Sequence, residues 1–163
     1  LDNPYFFYYI LASQFENTGK LESAERYYEL ATKSNPNFWD GHVALLNLLN
    51  KQKKYTKVLV EVEVLKKNND KKFDYLFIKG LALYGMKNYE KALDHLLKAN
   101  EIYNSDIRVL NLLGFTLLNL NEFKEALKAF DASLNVNKKQ PFIIRTVKEV
   151  KQKLDTPQIS KKK

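Results

Sequence analysis

The side chains best suited to chemistry are few in this sequence and lie far apart. The chain has two histidines, His42 and His95, and no cysteine, so it lacks a thiol nucleophile and a thiolate ligand for a metal ion. Glu61 and Glu63 are two residues apart, so on a helix they point in different directions and do not form a paired acid and base. The five glycines are scattered and make no phosphate-binding loop. The sequence therefore predicts no catalytic residue, no metal site and no cofactor.

A repeated apolar pattern indicates the helices that would position the other side chains. It is strongest in residues 107–140, where apolar residues recur at three- and four-residue steps before and after a polar turn. Such spacing is typical of two helices that each bury one stripe. Gly114 and Ala126 are the small members of these stripes and suit a close helix crossing, although Gly114 costs about 1 kcal/mol against Ala in a helix. At steps of 34 residues, the place of Ala126 is taken by Ala24, Val58 and Ala92.

These marks resemble those of the tetratricopeptide repeat family, whose repeating unit is a hairpin of two helices. The resemblance implies an all-α fold, a right-handed α-solenoid of four hairpins plus a C-terminal capping helix. The predicted organisation is residues 1–4 as the end of a preceding turn or linker, 5–38 as repeat one, 39–72 as a degenerate repeat two, 73–106 as repeat three, 107–140 as repeat four, 141–154 as the capping helix and 155–163 as a disordered basic tail.

One segment of repeat two gives conflicting signals. From Val58 to Val64 the sequence alternates valine with other residues in its second half, and alternation alone is typical of a half-buried strand. A lone strand among helix hairpins would have no partner for its backbone groups. We therefore predict a helix here, in register with the other repeats.

The family resemblance also implies where a ligand would bind. In such repeats the first helix of each hairpin lines a concave groove, so the chain is predicted to be a non-catalytic scaffold or adaptor that binds an apolar or amphipathic peptide segment of another protein. Phe77, Leu81, Phe115 and Leu118 are expected to form an apolar patch, although some groove residues could instead pack on neighbouring helices or under the cap. The predicted groove residues are Phe6, Tyr9, Asn47, Phe77, Leu81, Tyr84, Arg108, Asn111, Phe115 and Leu118.

Two alternatives remain from the sequence. The net charge of +8 would suit a basic protein associated with nucleic acid, but its lysines are spread over polar faces and turns, where a solvated surface places them, so no nucleic-acid partner is expected. The other alternative is a structural protein that forms homo-oligomers through its groove or through the ends of the array.

The sequence also suggests a location for the protein. No apolar run approaches the 18 residues that read as a membrane-spanning helix, and the absence of cysteine suits a reducing cytoplasm. The chain begins with Leu1 and not with Met, which suggests a trimmed product of a longer protein. A cytoplasmic location is expected, and a periplasmic or anchored location after removal of an N-terminal signal is the alternative.

Overall fold

The structure, a computed structural model, describes residues 3–155 of the chain. Within those residues it contains helices and turns and no strand. The prediction of an all-α protein is confirmed. The α-helices are α1 (Pro4–Asn17), α2 (Leu21–Ser34), α3 (Trp39–Lys51), α4 (Tyr55–Glu61), α5 (Lys72–Gly85), α6 (Tyr89–Ile102), α7 (Ile107–Asn119), α8 (Phe123–Val136) and α9 (Pro141–Asp155).

The chain forms two compact units, Leu1–Asn88 and Tyr89–Lys163. In the first unit α1 packs on α2, α2 on α3, and α3 on both α4 and α5. In the second unit α6 packs on α7, α7 on α8, and α8 on α9. Each unit is thus a stack of antiparallel helices joined by short turns. The predicted basic tail lies outside the described residues except for Asp155, which is the last residue of α9.

The four hairpin turns share one backbone conformation. Gly19, Lys53, Lys87 and Asn121, each 34 residues after the last, have φ angles of 76, 60, 62 and 63°. In every turn the next residue donates its N–H to the carbonyl five positions earlier, as Asn88 does to Leu83 at 2.9 Å. This arrangement closes a helix by a left-handed residue and satisfies two of its last carbonyls. The 34-residue period is therefore a property of the backbone as well as of the side chains.

Glycine is expected to stabilise a turn that now contains lysine. We expect Lys87→Gly to raise the free energy of unfolding by about 0.5–1 kcal/mol, because a residue with a Cβ is strained at positive φ. Gly19→Ala is the matched control and should lower the free energy of unfolding by a similar amount. A Cβ at Gly19 would touch nothing, so the loss comes from the backbone conformation alone. Urea unfolding of both variants measures the difference. Equal stability of wild type and Lys87→Gly would contradict the assigned turn.

The valine-rich segment of repeat two is helical, as predicted, but it is not one α-helix. The α-helix ends at Glu61, and Val62–Lys67 continues as a 3-10 helix. Val62 and Leu65 are fully buried, which fits a 3-10 helix because residues three apart lie over each other in it. Branched valines lower helix propensity, so packing of these two residues decides the local structure.

Glu63 of this 3-10 helix pairs with Lys66 of the same helix and with Lys79 of α5, and the second pair joins the two elements. Lys66 and Lys79 lie 2.5 and 2.6 Å from the Glu63 carboxylate. The hydrogen bond from Lys66, followed by that from Lys79, lowers the pKa of Glu63 to about 2. The ammonium group of Lys79 also lies over the Tyr75 ring, 5.2 Å from its centroid. Lys79 thus has a local electrostatic role.

The core of the second unit explains its small residues. Phe130 on α8 is fully buried, and a Cβ added to Gly114 on α7 would collide with the Phe130 ring. Ala126 and Phe130 form one cluster with Ile143 and Val147 of α9. The glycine that costs helix propensity therefore makes room for an aromatic ring, and α9 covers the same core, as a capping helix should.

Candidate functional site

The predicted groove residues of the first unit occupy different surroundings. Phe6 is exposed over 54% of its surface. Tyr9 packs its ring edge-on against Phe38, with centroids 5.2 Å apart. Phe77 is buried and stacks on Phe73. Phe6 and Tyr9 are neighbours, with ring centroids 6.4 Å apart, whereas Phe77 is part of the core.

Three predicted residues of the same unit line one cavity. Asn47 on α3 and Leu81 and Tyr84 on α5 face a space of about 380 Å³ between these helices. The cavity is open to solvent at Asn47, which is exposed, and deepens toward the half-buried Leu81 and Tyr84. We call it the α3–α5 cavity; its lining residues are Asn47, Asn50, Lys51, Tyr55, Leu81, Tyr84 and Gly85.

Asn50 gives this cavity an unusual polar wall. Its Nδ2 donates to the carbonyl of Ile78 at 3.3 Å, which joins α3 to α5. Its Oδ1 is buried, and no group among residues 3–155 donates to it. A buried acceptor without a partner costs about 1–3 kcal/mol.

Tyr55 forms the apolar end of the α3–α5 cavity. It is the first residue of α4, and its ring lies so close to Gly85 that a Cβ on Gly85 would collide with it. A glycine at the end of α5 therefore lets the ring lie against the helix backbone. The result is a wall of aromatic and aliphatic surface opposite the two asparagine amides.

Lys51 is the charged residue in the lining of the cavity. Its ammonium group is 3.5 Å from the Glu16 carboxylate, and more than half of its side chain is exposed. Glu16 also accepts the hydroxyl of Tyr28 at 3.1 Å. Burial, together with the Glu16 charge, raises the pKa of Tyr28, so that hydroxyl stays protonated and remains a donor. A contact this long between exposed groups is weak, so Lys51 can turn toward a ligand.

The predicted groove residues of the second unit mainly contact other residues of the same unit. Phe115 packs edge-on against Phe130 at 5.0 Å and lies 5.8 Å from Phe142 of α9. Leu118 packs on the same core cluster. Asn111 donates to Gln140 at 2.8 Å, while Arg108 pairs with Asp106 at the start of α7. The cap therefore covers part of the predicted patch and adds the ring of Phe142.

Some lining residues were missing from the predicted site. Asn50, Lys51 and Gly85 occupy first-helix positions that the 34-residue register assigns to the groove, so the sequence carried a signal for them. Tyr55 starts a second helix, and no spacing rule points to it. The register thus predicts which side of a first helix faces the groove, but not which second-helix side chain closes the cavity.

The residues considered for chemistry have structural partners. His42 Nε2 is 3.1 Å from the Pro36 carbonyl, and His95 Nδ1 is 2.9 Å from the Lys91 carbonyl. Glu63 is held by two lysines, while Glu61 is exposed on α4. In residues 3–155, His and acidic side chains form no group of three or more that could hold a metal ion. Over the same residues no helix has the length and apolar character to cross a membrane.

Two family models match the chain. The tetratricopeptide repeat model matches residues 7–38, and the model of subunit 3 of the anaphase-promoting complex, or cyclosome, matches residues 63–133. Residues 39–62, which lie between the two matched segments, belong to the degenerate repeat two. No curated protein sequence matches the chain.

Solved structures share the fold. That of Pseudomonas aeruginosa pilF is 24% identical with a TM-score of 0.80, covering 94% of this chain and 70% of that one. A thermophilic tetratricopeptide repeat protein of Thermus thermophilus is 17% identical with a TM-score of 0.76, covering 93% and 83%. YrrB, described as "a TPR protein with an unusual peptide-binding site", is 18% identical with a TM-score of 0.68, covering 93% and 78%.

Sequence pattern, family models and fold agree, and together they support a protein of the tetratricopeptide repeat family. The predicted fold class, an all-α solenoid of such hairpins with a capping helix, is confirmed. Repeat folds of this kind form extended concave surfaces that bind other molecules. The fold thus indicates, in general terms, a scaffold for protein–protein interaction.

Proposed function

We propose that this protein is a non-catalytic adaptor that binds an apolar or amphipathic peptide segment of another protein in the α3–α5 cavity. The observation that carries the proposal is the composition of the cavity wall: Tyr55, Leu81 and Tyr84 on one side and the amides of Asn47 and Asn50 on the other. An apolar side chain of the peptide fits against the first group. The peptide backbone offers an N–H and a carbonyl at every residue, which suits the exposed amide of Asn47.

The charge distribution supports a protein partner over a nucleic acid. Lys54 and Lys57 both bond to Glu25, and Lys57 also bonds to Glu29. Burial favours protonation of Glu25, but the hydrogen bonds from these lysines outweigh it and lower its pKa. Lysines neutralised by carboxylates do not bind phosphates well, so peptide affinity should fall only modestly as salt is raised.

Substitution of Leu81 by glutamate tests the site. Using a peptide selected against the chain from a random display library, we expect Leu81→Glu to weaken binding about 30-fold, because residues that become fully desolvated carry most of the energy of an interface. Asn47→Leu should weaken binding less, by removing the exposed amide of the cavity wall. Titration by calorimetry gives the affinities, and circular dichroism confirms equal helicity.

A matched control is Leu97→Glu, a partly exposed leucine in the second unit. It should leave the affinity of that peptide unchanged. Equal affinity of wild type and folded Leu81→Glu would exclude the α3–α5 cavity. Loss of binding by orders of magnitude between low and moderate salt would instead support a polyanionic ligand.

Self-association is the competing interpretation, and sedimentation separates it from peptide binding. If the wild-type chain forms a dimer that Leu81→Glu dissociates, the cavity binds a second copy. A monomeric wild type that binds the peptide supports the adaptor.

A further inference from the structure

Helix α1 presents an apolar surface to solvent. Phe6, Phe7 and Ile10 are 54, 47 and 42% exposed. The segment from Pro4 to Phe15 contains no charged residue and is apolar on most sides of the helix. A helix that is apolar all round is normally a buried one.

The equivalent surface is covered in every later helix of the same type. Phe7, Ile10 and Gln14 form what we call the outer face of α1, and all three are exposed. At 34-residue steps the same positions recur in α3, α5, α7 and α9, and there each of them is buried or half-buried. The equivalents of Phe7 are Gly41, Tyr75, Val109 and Ile143, those of Ile10 are Ala44, Ile78, Leu112 and Thr146, and those of Gln14 are Leu48, Ala82, Thr116 and Val150.

A preceding helix accounts for this burial. α3 packs on α2, α7 on α6, and α9 on α8. At the last of these contacts Ile143 belongs to one core cluster with Ala126 and Phe130 of α8. Among residues 3–155 no helix precedes α1, so its outer face stays exposed.

The last helix of the chain shows how an end of a repeat array is normally finished. α9 covers α8 with Ile143 and Val150 and exposes Arg145, Lys148 and Gln152 on its other side. Such a polar outer face keeps a terminal repeat soluble. α1 exposes phenylalanine and isoleucine instead, so it has the surface of an internal helix of an array.

The chemistry of the outer face defines what covers it. Phe7 and Ile10 require apolar or small side chains opposite them, and the uncharged segment around them has no ion-pair partner for a charged residue. Gln14 would be buried with them, and a buried amide without a hydrogen bond is costly. The covering helix should therefore be apolar with one polar residue opposite Gln14.

The connections between helices indicate where that covering helix lies. Four residues connect α2 to α3, α6 to α7 and α8 to α9, namely 35–38, 103–106 and 137–140. In the same register the covering helix ends directly before Leu1. A second copy of the chain does not offer such a helix at its end, because its α8 is already covered by α9.

We propose that the outer face of α1 packs against the second helix of a further repeat hairpin, which precedes Leu1 in the same polypeptide. The interface continues the contacts of α2 with α3 and of α8 with α9. Phe7, Ile10 and Gln14 do not line the α3–α5 cavity, so this interface is separate from the proposed peptide site.

A fused chain tests the proposal. In it a copy of residues 103–136, which contain α7 and α8, precedes Leu1 of the full chain, so that the register is kept and a copy of α8 meets α1 as α8 meets α9. Amide hydrogen exchange of α1, followed by mass spectrometry, reports how well the helix is covered. Phe7→Glu is made in both the fused and the original chain, and Val60→Glu is the matched control because Val60 is a 71% exposed apolar residue of α4.

We expect exchange in α1 to be at least about tenfold slower in the fused chain than in the original chain. Phe7→Glu should remove this difference, and Val60→Glu should leave it unchanged. Equal exchange in the two chains overturns the proposal. A difference that survives Phe7→Glu also overturns it, because the added segment would then act without the outer face.

Three further measurements identify the occupant. A wild-type dimer in sedimentation that Phe7→Glu dissociates would make it a second copy, and pelleting with phosphatidylcholine vesicles that Phe7→Glu abolishes would make it a membrane surface. Either result overturns the proposal. Peptide mapping of the protein isolated from its own cells should find, before Leu1, small, aromatic and small residues at the register positions of Ala24, Tyr28 and Ala31. A preceding sequence without this pattern, or none at all, overturns it as well.

Discussion

Replacing Phe130 with alanine is expected to lower the free energy of unfolding by about 3–5 kcal/mol, the range found for a buried phenylalanine. Phe130 has no exposed surface, and its ring fills the space beside Gly114 and meets the edge of Phe115 at 5.0 Å. Alanine would leave a cavity under α9 that the surrounding helices can close only in part.

Phe142→Ala provides the control for this prediction. Phe142 also contacts Phe115, but 68% of its surface is exposed, so its removal should cost about 1 kcal/mol or less. Urea unfolding with a helical signal and with an aromatic signal measures both variants and tests for two-state behaviour. Similar losses in the two variants would contradict the placement of Phe130 in the core.

The second large effect is expected in the 3-10 helix of the first unit. Leu65→Ala should lower the free energy of unfolding by about 2–5 kcal/mol, because Leu65 is fully buried although it lies outside any α-helix. Thermal and urea unfolding give the loss. A small loss would mean that this segment unfolds locally before the core does.

Val60→Ala is the companion variant and discriminates helix from strand. In a strand Val58, Val60 and Val62 would share one face, whereas here Val58 and Val62 are fully buried and Val60 is 71% exposed. Val60→Ala should therefore change the stability by no more than about 0.5 kcal/mol. A loss as large as that of Val62→Ala would support the strand that alternation alone suggests.

The helix hairpins could be predicted because the sequence repeats one spacing in every copy. Residue types alone showed the 34-residue steps, the polar turn within residues 107–140, and the small Gly114 and Ala126 where α7 and α8 cross. The change to a 3-10 helix at Val62 could not be predicted, because it depends on how Val62 and Leu65 pack and on the lysines that pair with Glu63. Periodicity predicts which side of the segment is buried. Tertiary contacts then decide whether the segment is an α-helix or a 3-10 helix, because both can bury that side.

The candidate sites could be predicted only in part. Register placed Asn47, Leu81 and Tyr84 on one side of their helices, and they line one cavity. Register also placed Phe77 and Phe115 in the groove, but Phe77 is buried beside Phe73, and Phe115 is partly covered by Phe130 and by Phe142 of α9. The position of a residue on a helix does not show whether an aromatic ring from a neighbouring residue will cover it. Leu97 stands where the other three repeats have Glu29, Glu63 and Asp131, a difference that is visible only when this position is compared among the repeats.

The four left-handed turn residues bear on how fast the chain can fold. Each turn joins two helices through a few residues and closes with a hydrogen bond that spans only five positions, so most of a hairpin forms from neighbours in sequence. Proteins rich in such local contacts reach the folded state in microseconds to milliseconds, because little loop entropy is lost before contacts form. Three of the turns close on a residue with a Cβ at positive φ, so glycine at these positions should lower the free-energy cost of closing each turn.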